Sequence, residues 1–178
     1  LLRQLHEAGE RDGLRWVVGR SADFYGPGAL NTLLYASAME RQLNGRRARW
    51  LGKPDALHSF TYTGDAARGL VRLAQDAGAW QQEWHLPTAS PAPTPRELLA
   101  ISARLLGAPE GVQPMPDALL RLLKPFVPIL REVDEMLYQN RQDYVFDSSR
   151  FMARCPDFAI TPYAEGIAAM VASLRTPA

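Results

Sequence analysis

Trp16-Val17-Val18-Gly19-Arg20-Ser21-Ala22-Asp23-Phe24-Tyr25-Gly26-Pro27-Gly28 is the stretch on which the reading of this chain turns. An apolar run that passes into polar residues and breaks at Gly-Pro-Gly reads as a buried strand, Leu14 to Ser21, emptying into a loop at its C-terminal end. That end is where open α/β sheets bind ligands, so the functional site is expected there.

Upstream, Leu1 to about Arg11 has helical apolar spacing with no capping residue ahead of it, and Gly9, Asp12 and Gly13 mark the exit into the strand. The chain is therefore expected to begin inside an element. Downstream, Leu30, Leu33, Leu34, Met39 and Leu43 predict an amphipathic helix from Ala29 to about Asn44, with Gly45 as its stop. Arg46, Arg47 and Arg49 follow as a small basic cluster, either a solvated face or a place to meet an anion. Phe60 and Tyr62 alternate with Ser59, Thr61 and Thr63 in a short strand, and Asp65 or Thr63 is a candidate cap for the helix carrying Ala66, Leu70, Val71 and Leu73. Glu83 to Pro87 is a further strand, with Pro87 suited only to its end or an edge, and His85 on it reads as structural. Thr94-Pro95-Arg96-Glu97 is a helix start with a capping box, and that helix runs to Gly107. Helices are expected over Met115 to Lys124 and Pro128 to about Asn140, a short strand at Tyr144 to Asp147, a short helix from Ser148 to Arg154, and a last helix from Thr161-Pro162 through Leu174.

The 178 residues, 47% hydrophobic and 22% charged, suffice for one ordinary domain or two small ones sharing an interface. A formal charge of +1 with the basic residues spread along the chain gives no electrostatic footprint for nucleic acid. The single cysteine, Cys155, rules out an internal disulfide and cannot alone build a structural zinc site, so no metal is expected. No apolar run approaches the roughly 20 residues of a membrane span, and a cytoplasmic protein without a membrane partner is the expectation.

Arg20 to Gly28 also resembles a segment of the extended short-chain dehydrogenase/reductase family, the NAD(P)-dependent epimerases, dehydratases and reductases. Members carry an Arg at the end of a late sheet strand and then Tyr-Gly-Pro-Gly, which Tyr25 to Gly28 match letter for letter. His58 to Asp65 is similar to the family's strand-Asp-helix element, Thr94, Glu97 and Leu98 to its Thr-x-x-Glu-Leu helix, and Thr161 to Ile167 to its terminal Thr-Pro-x-x-Glu-Gly-Ile. The landmarks fall in the family's order and cover nearly the whole chain.

The resemblance implies an α/β fold: the C-terminal portion of a Rossmann-like parallel sheet plus a small, mainly helical substrate-binding domain. Residues 1–28 and 58–88 would be the remainder of the dinucleotide-binding domain, and 29–57 with 89–178 the substrate-binding domain. It further implies a parent enzyme that uses NAD or NADP for hydride transfer, with a Tyr as general acid/base whose pKa a Lys lowers. The sequence contains neither a Tyr-x-x-x-Lys pair nor a Gly-rich dinucleotide loop, so the chain alone is expected to hold no catalytic residue and to bind dinucleotide poorly. Its expected role is the C-terminal, substrate-binding part of such an enzyme. By the same resemblance Ser21, Ala22 and Asp23 would border the nicotinamide, while Asp23, Tyr25 and His58 would form the substrate pocket. The sheet edge that a missing half would cover predicts self-association, and hence a homo-oligomer.

Two departures from the family bear on substrate. Members acting on nucleotide-diphosphate sugars usually have Asn where this chain has Asp23, and commonly Arg where it has His58. An ionised Asp carries no donor and repels an anion, and a neutral His offers one donor against the guanidinium's five. A substrate without a diphosphate is expected: a small carbonyl, an alcohol or an unactivated sugar. The competing readings are a nucleotide-sugar epimerase or dehydratase whose phosphate donors have moved, for instance to Arg46, Arg47 or Arg49, and a non-catalytic ligand or redox sensor on the same fold.

Overall fold

The computed structural model describes residues 1–115 and 137–175. Helix α1 (Leu2–Asp12) ends as the sequence predicts, with Gly13 in the left-handed conformation returning its N–H to the Gly9 carbonyl. It leans on the sheet through the His6 ring, set edge-on to Trp16 at 4.7 Å. Strand β1 (Val17–Arg20) follows, shorter than the run from which it was predicted.

The expected loop after β1 is corrected by the structure. Asp23–Tyr25 is a strand of its own, β2. Its hydrogen-bond partner is a parallel neighbour, β4 (Phe60–Tyr62), with Asp23 opposite Phe60 and Tyr25 opposite Tyr62. Strand β1 instead pairs in parallel with β5 (Gln82–His85), Arg20 lying opposite His85. Ser21 and Ala22 are thus the step at which the chain leaves one strand pair for another, and the predicted turn comes only at Gly26-Pro27-Gly28.

A third parallel pair, β3 (Ala48–Leu51) with β6 (Val112–Met115), was not anticipated from sequence. Met115 therefore ends a strand where a helix start was expected. Parallel pairs need long crossovers, and helix α3 (Thr63–Ala74) supplies one, packing on β1 and β4. The architecture is α/β with short parallel sheets, as the sequence implied.

The predicted helix at 29–44 forms in part. A π-helical stretch, Tyr35–Met39, runs directly into the short helix α2 (Glu40–Leu43). The Ser37 hydroxyl donates to the Leu33 carbonyl at 2.6 Å, back-bonding into the helical ladder where the turn widens. Helix α4 (Pro95–Leu106) has the full capping box: Thr94 Oγ1 accepts the Glu97 N–H at 3.2 Å, and Glu97 accepts the Thr94 N–H at 2.8 Å. Helices α5 (Ser149–Arg154) and α6 (Tyr163–Arg175) match the sequence reading. Tyr144 to Asp147 does not form the expected strand and makes only an isolated bridge from Tyr144 to His58. Apart from a 3-10 turn at Leu137–Asn140, the two helices expected between Met115 and Asn140 lie outside the described residues.

Two apolar clusters organise the interior. Tyr25, Trp50, Phe60, Leu98, Ile167 and Met170 form the larger one, where α4 and α6 close over β2, β3 and β4. Leu73, Trp84, Leu86, Phe151 and Cys155 form the other, under α3 and α5, and give the lone thiol its buried place. Among the described residues no helix is long and apolar enough to cross a membrane, and no group of three His, Cys, Asp or Glu side chains is placed to hold a metal.

Candidate functional site

The site is built on the C-terminal ends of the parallel strands β1 and β5 and on β2 beside them. A buried chain of hydroxyls fixes the step between β1 and β2. The Ala22 N–H donates to Thr61 Oγ1 at 3.0 Å, Thr61 Oγ1 lies 2.7 Å from Thr88 Oγ1, and Thr88 Oγ1 donates to the Leu86 carbonyl at 3.2 Å. With Thr88 donating onward, Thr61 must donate to Thr88, so each buried hydroxyl is satisfied once as donor and once as acceptor. Thr61 and Thr88 are supporting residues that sequence reasoning did not single out. The alternation around β4 marked Thr61 as the polar face of a strand, but both of that strand's faces are covered.

His58 enters β4 with its N–H on the Pro93 carbonyl at 2.8 Å. Its ring is boxed by aromatic neighbours, with centroids at 4.7 Å to Phe60, 5.2 Å to Tyr144 and 5.9 Å to Trp50. Within that box the side chain is 2% exposed, and Nε2 lies 3.0 Å from Asp23 Oδ2. An ionised Asp23 can only accept, so Nε2 carries the hydrogen. The Asp23 carboxylate is 33% exposed, and its Oδ1 has no partner among the described residues. The structure thus brings together Asp23 and His58, two residues singled out from sequence, and presents outward a carboxylate backed by an imidazole.

The other expected site residues are placed differently. Ser21 is half-buried, without a hydrogen-bond partner among the described residues, and Ala22 is buried. Tyr25 is completely buried, packed against Phe60, Tyr62 and Tyr163, with its hydroxyl directed at Gly166 of α6. That hydroxyl has no hydrogen-bond partner among the described residues. Burial first, then the nearby Tyr163, Asp65 and Tyr62, pushes its pKa far above the ordinary phenol value. Tyr25 therefore supports the Asp23 wall from behind. Tyr25→Phe removes an orphaned polar atom and nothing else, so stability should hold or rise by about 1 kcal/mol. A loss of more than that in urea denaturation would mean that the hydroxyl has a partner.

His85 is a structural residue, as its sequence context suggested: Nδ1 lies 2.7 Å from the Asp147 carbonyl, and the ring stacks on Phe146 at 4.3 Å. Asp65 caps nothing. Helix α3 begins at Thr63 without a side-chain cap, and Asp65 sits inside its first turn, buried and bonded to Thr161. Arg47 donates to the Glu110 carbonyl at 3.1 Å.

No protein-family model matches this chain, and no curated protein does. Solved structures do. An epimerase of Methanothermobacter thermautotrophicus is similar over 97% of this chain and 47% of its own, with a TM-score of 0.72 at 14% identity. The UDP-glucose 4-epimerase of Thermotoga maritima, solved with UDP-glucose, is similar over 98% of this chain and 50% of its own, with a TM-score of 0.67 at 16% identity. The UDP-glucose 4-epimerase of Thermus thermophilus, solved with NAD, is similar over 97% and 50%, with a TM-score of 0.66 at 20% identity. The chain spans about half the length of these structures, and over that half it has the Rossmann-like α/β fold of the NAD-dependent epimerases.

Proposed function

We propose that the chain is the substrate-binding part of an NAD(P)-dependent oxidoreductase of the epimerase/dehydratase type, acting on a small carbonyl, an alcohol or an unactivated sugar. The observation that carries this reading is the Asp23–His58 pair. It stands where related enzymes commonly present Asn and Arg to a diphosphate, and it offers that anion a carboxylate instead of donors. At a separation of 4 Å, two like charges near a protein surface repel by about 4 kcal/mol. The same carboxylate is well suited to accept hydrogen bonds from the hydroxyls of a neutral sugar or alcohol.

The step from β1 to β2 fits a nicotinamide. Ser21 has a free hydroxyl at the C-terminal end of β1, and the hydroxyl chain through Thr61 holds Ala22 so that backbone and side chain present a fixed wall. NAD(P), when bound, supplies or takes up the hydride. Ser21 and Ala22 orient the ring, Asp23 binds the substrate's hydroxyls with His58 holding its carboxylate from behind, and Tyr25 keeps the wall in register from the core. The acid/base Tyr and its Lys belong, on this reading, to a preceding segment, together with the dinucleotide loop. Residues 1–28 and 58–88 are then the dinucleotide-domain remainder and 29–57 with 89–178 the substrate domain, in a cytoplasmic homo-oligomer.

A second reading, a nucleotide-sugar epimerase or dehydratase, is supported by the UDP-sugar enzymes that share the fold. Two assays on the protein with its dinucleotide-binding half present separate the two: NAD(P)H oxidation by small aldehydes, ketones or free sugars, and conversion of UDP-glucose to an epimer or a dehydrated sugar, which leaves no net change in NAD(P)H and is read by chromatography. The expected result is carbonyl turnover with kcat/KM at least about tenfold above that for UDP-glucose conversion, and the reverse order would favour the second reading.

A further inference from the structure

The basic cluster after α2 forms a feature of its own. Arg41, Arg46 and Arg49 line a cleft of about 410 Å³ together with Ser37, Glu40 and Asn44, and Met115 closes one side. None of Ser21, Ala22, Asp23, Tyr25 or His58 lines it. Strand geometry explains the separation. Arg49 stands between Ala48 and Trp50, both buried, and adjacent side chains of a strand point to opposite faces. The Trp50 ring faces His58, so the Arg49 guanidinium lies on the far side of β3.

The cleft differs from the rest of the surface in its unsatisfied charge. Elsewhere arginines are taken up by carboxylates, as in Arg20 with Glu83, Arg96 with Asp55 and Arg154 with Asp76, or by carbonyls and aromatic rings, as in Arg175 on the Leu105 carbonyl and Arg15 over Trp80. Here, among the described residues, the guanidinium groups of Arg46 and Arg49 and the Glu40 carboxylate have no hydrogen-bond or ion-pair partner. Arg41 uses only Nε, donating to the Arg47 carbonyl at 3.0 Å. Its pKa is lowered by partial burial and by the charges of Arg49 and Arg46, the direction expected of three cations awaiting an anion. Two acceptors face the same space. The Asn44 amide nitrogen donates to the Glu40 backbone carbonyl at 2.8 Å, and among the described residues its oxygen and the Glu40 carboxylate accept no hydrogen bond.

We propose that this cleft binds a small phosphorylated molecule. Its phosphoryl group is held by the forks of Arg46 and Arg49 with Arg41 behind them, and its hydroxyl or amino groups donate to Glu40 and the Asn44 oxygen. Planar guanidinium forks match phosphoryl oxygens in pairs, and a carboxylate at the other end selects against a bare anion. The volume is that of an ordinary small-ligand site. This site is independent of the reaction proposed above.

The test is titration of the 178-residue chain at low ionic strength, by calorimetry, with glucose 1-phosphate, uridine monophosphate, inorganic phosphate, glucose, uridine and a single-stranded oligonucleotide. Saturable one-to-one binding is expected for at least one phosphomonoester and for neither unphosphorylated parent. Which monoester binds tells a sugar phosphate from a nucleotide. Arg46→Gln and Arg49→Gln should each weaken binding about tenfold or more. On the unsubstituted chain, the same monoester should protect Arg41, Arg46 and Arg49 from phenylglyoxal, read by mass spectrometry, so the result does not depend on the variants folding. No saturable monoester binding, inorganic phosphate binding as tightly as the ester, preference for the oligonucleotide, or unprotected arginines would each overturn the proposal.

Discussion

Trp50→Ala should lower unfolding stability by about 3–4 kcal/mol, among the largest losses any single side chain of this molecule can produce. Trp50 is completely buried in the larger apolar cluster, 6.1 Å from Phe60 and edge-on to His58. Truncating a buried Trp costs about 3–5 kcal/mol through lost transfer energy and the cavity left behind. One term offsets part of this: the indole N–H has no acceptor among the described residues, so its removal relieves a buried unsatisfied donor. Trp50→Phe, which drops that donor and keeps most of the volume, should cost about 1 kcal/mol or less. The loss also reaches the site, because Trp50 is one wall of the box that aims the His58 imidazole at Asp23. Urea denaturation followed by circular dichroism measures both variants, and equal losses for the two would show that packing at Trp50 is not what matters.

Asp65→Ala should cost about 3 kcal/mol. The carboxylate is buried. It accepts the Thr161 N–H at 2.7 Å and the Thr161 hydroxyl at 2.8 Å, and it pairs with Arg68, which also donates to the Ala159 carbonyl at 3.0 Å. Removing it leaves three donors short of an acceptor at the joint between α3 and the start of α6, and α6 in turn packs on β2 and α4. Asp65→Asn keeps one accepting oxygen but in either orientation turns its amide toward a donor, the Arg68 guanidinium or the Thr161 N–H, so it should lose most of the same stability. A change under about 1 kcal/mol in either variant would mean that the α3–α6 joint does not depend on this carboxylate.

Elements whose ends are written in local chemistry were legible from sequence. Gly13 and Gly107 closed their helices in the left-handed conformation, and Thr94 with Glu97 opened α4. What sequence missed is non-local. Strand β2 exists because β4 lies alongside it, and β3 and β6 are short runs that become strands only by finding each other across a long intervening stretch of chain. Tyr144 was expected in a strand and found only a single bridge, in which its N–H meets the Leu57 carbonyl and its carbonyl the Ser59 N–H, while the His58 N–H turns to the Pro93 carbonyl. The candidate site divides the same way. Asp23 and His58 were visible as departures from a motif, but nothing in the sequence said that they bond to each other. Tyr25, read as a pocket residue, carries the motif's most recognisable letter and turns out to be core. The hydroxyl chain through Thr61 and Thr88 left no signal at all, since threonine is as much at home on a wet strand face as in a dry network.

On the proposed function, the outward Asp23 carboxylate, backed by His58, turns this fold away from diphosphates. Equilibrium binding of UDP-glucose to proteins with and without Asp23→Asn is the decisive measurement. Asn keeps an oxygen for the His58 N–H, removes the negative charge and adds two N–H donors at the same place. In an Arg46→Gln/Arg49→Gln background, which takes away the separate arginine cleft, UDP-glucose should bind no more tightly than glucose does, and Asp23→Asn should tighten it by about tenfold or more. Tight, saturable binding of UDP-glucose in that background, unchanged or weakened by Asp23→Asn, would overturn the reading.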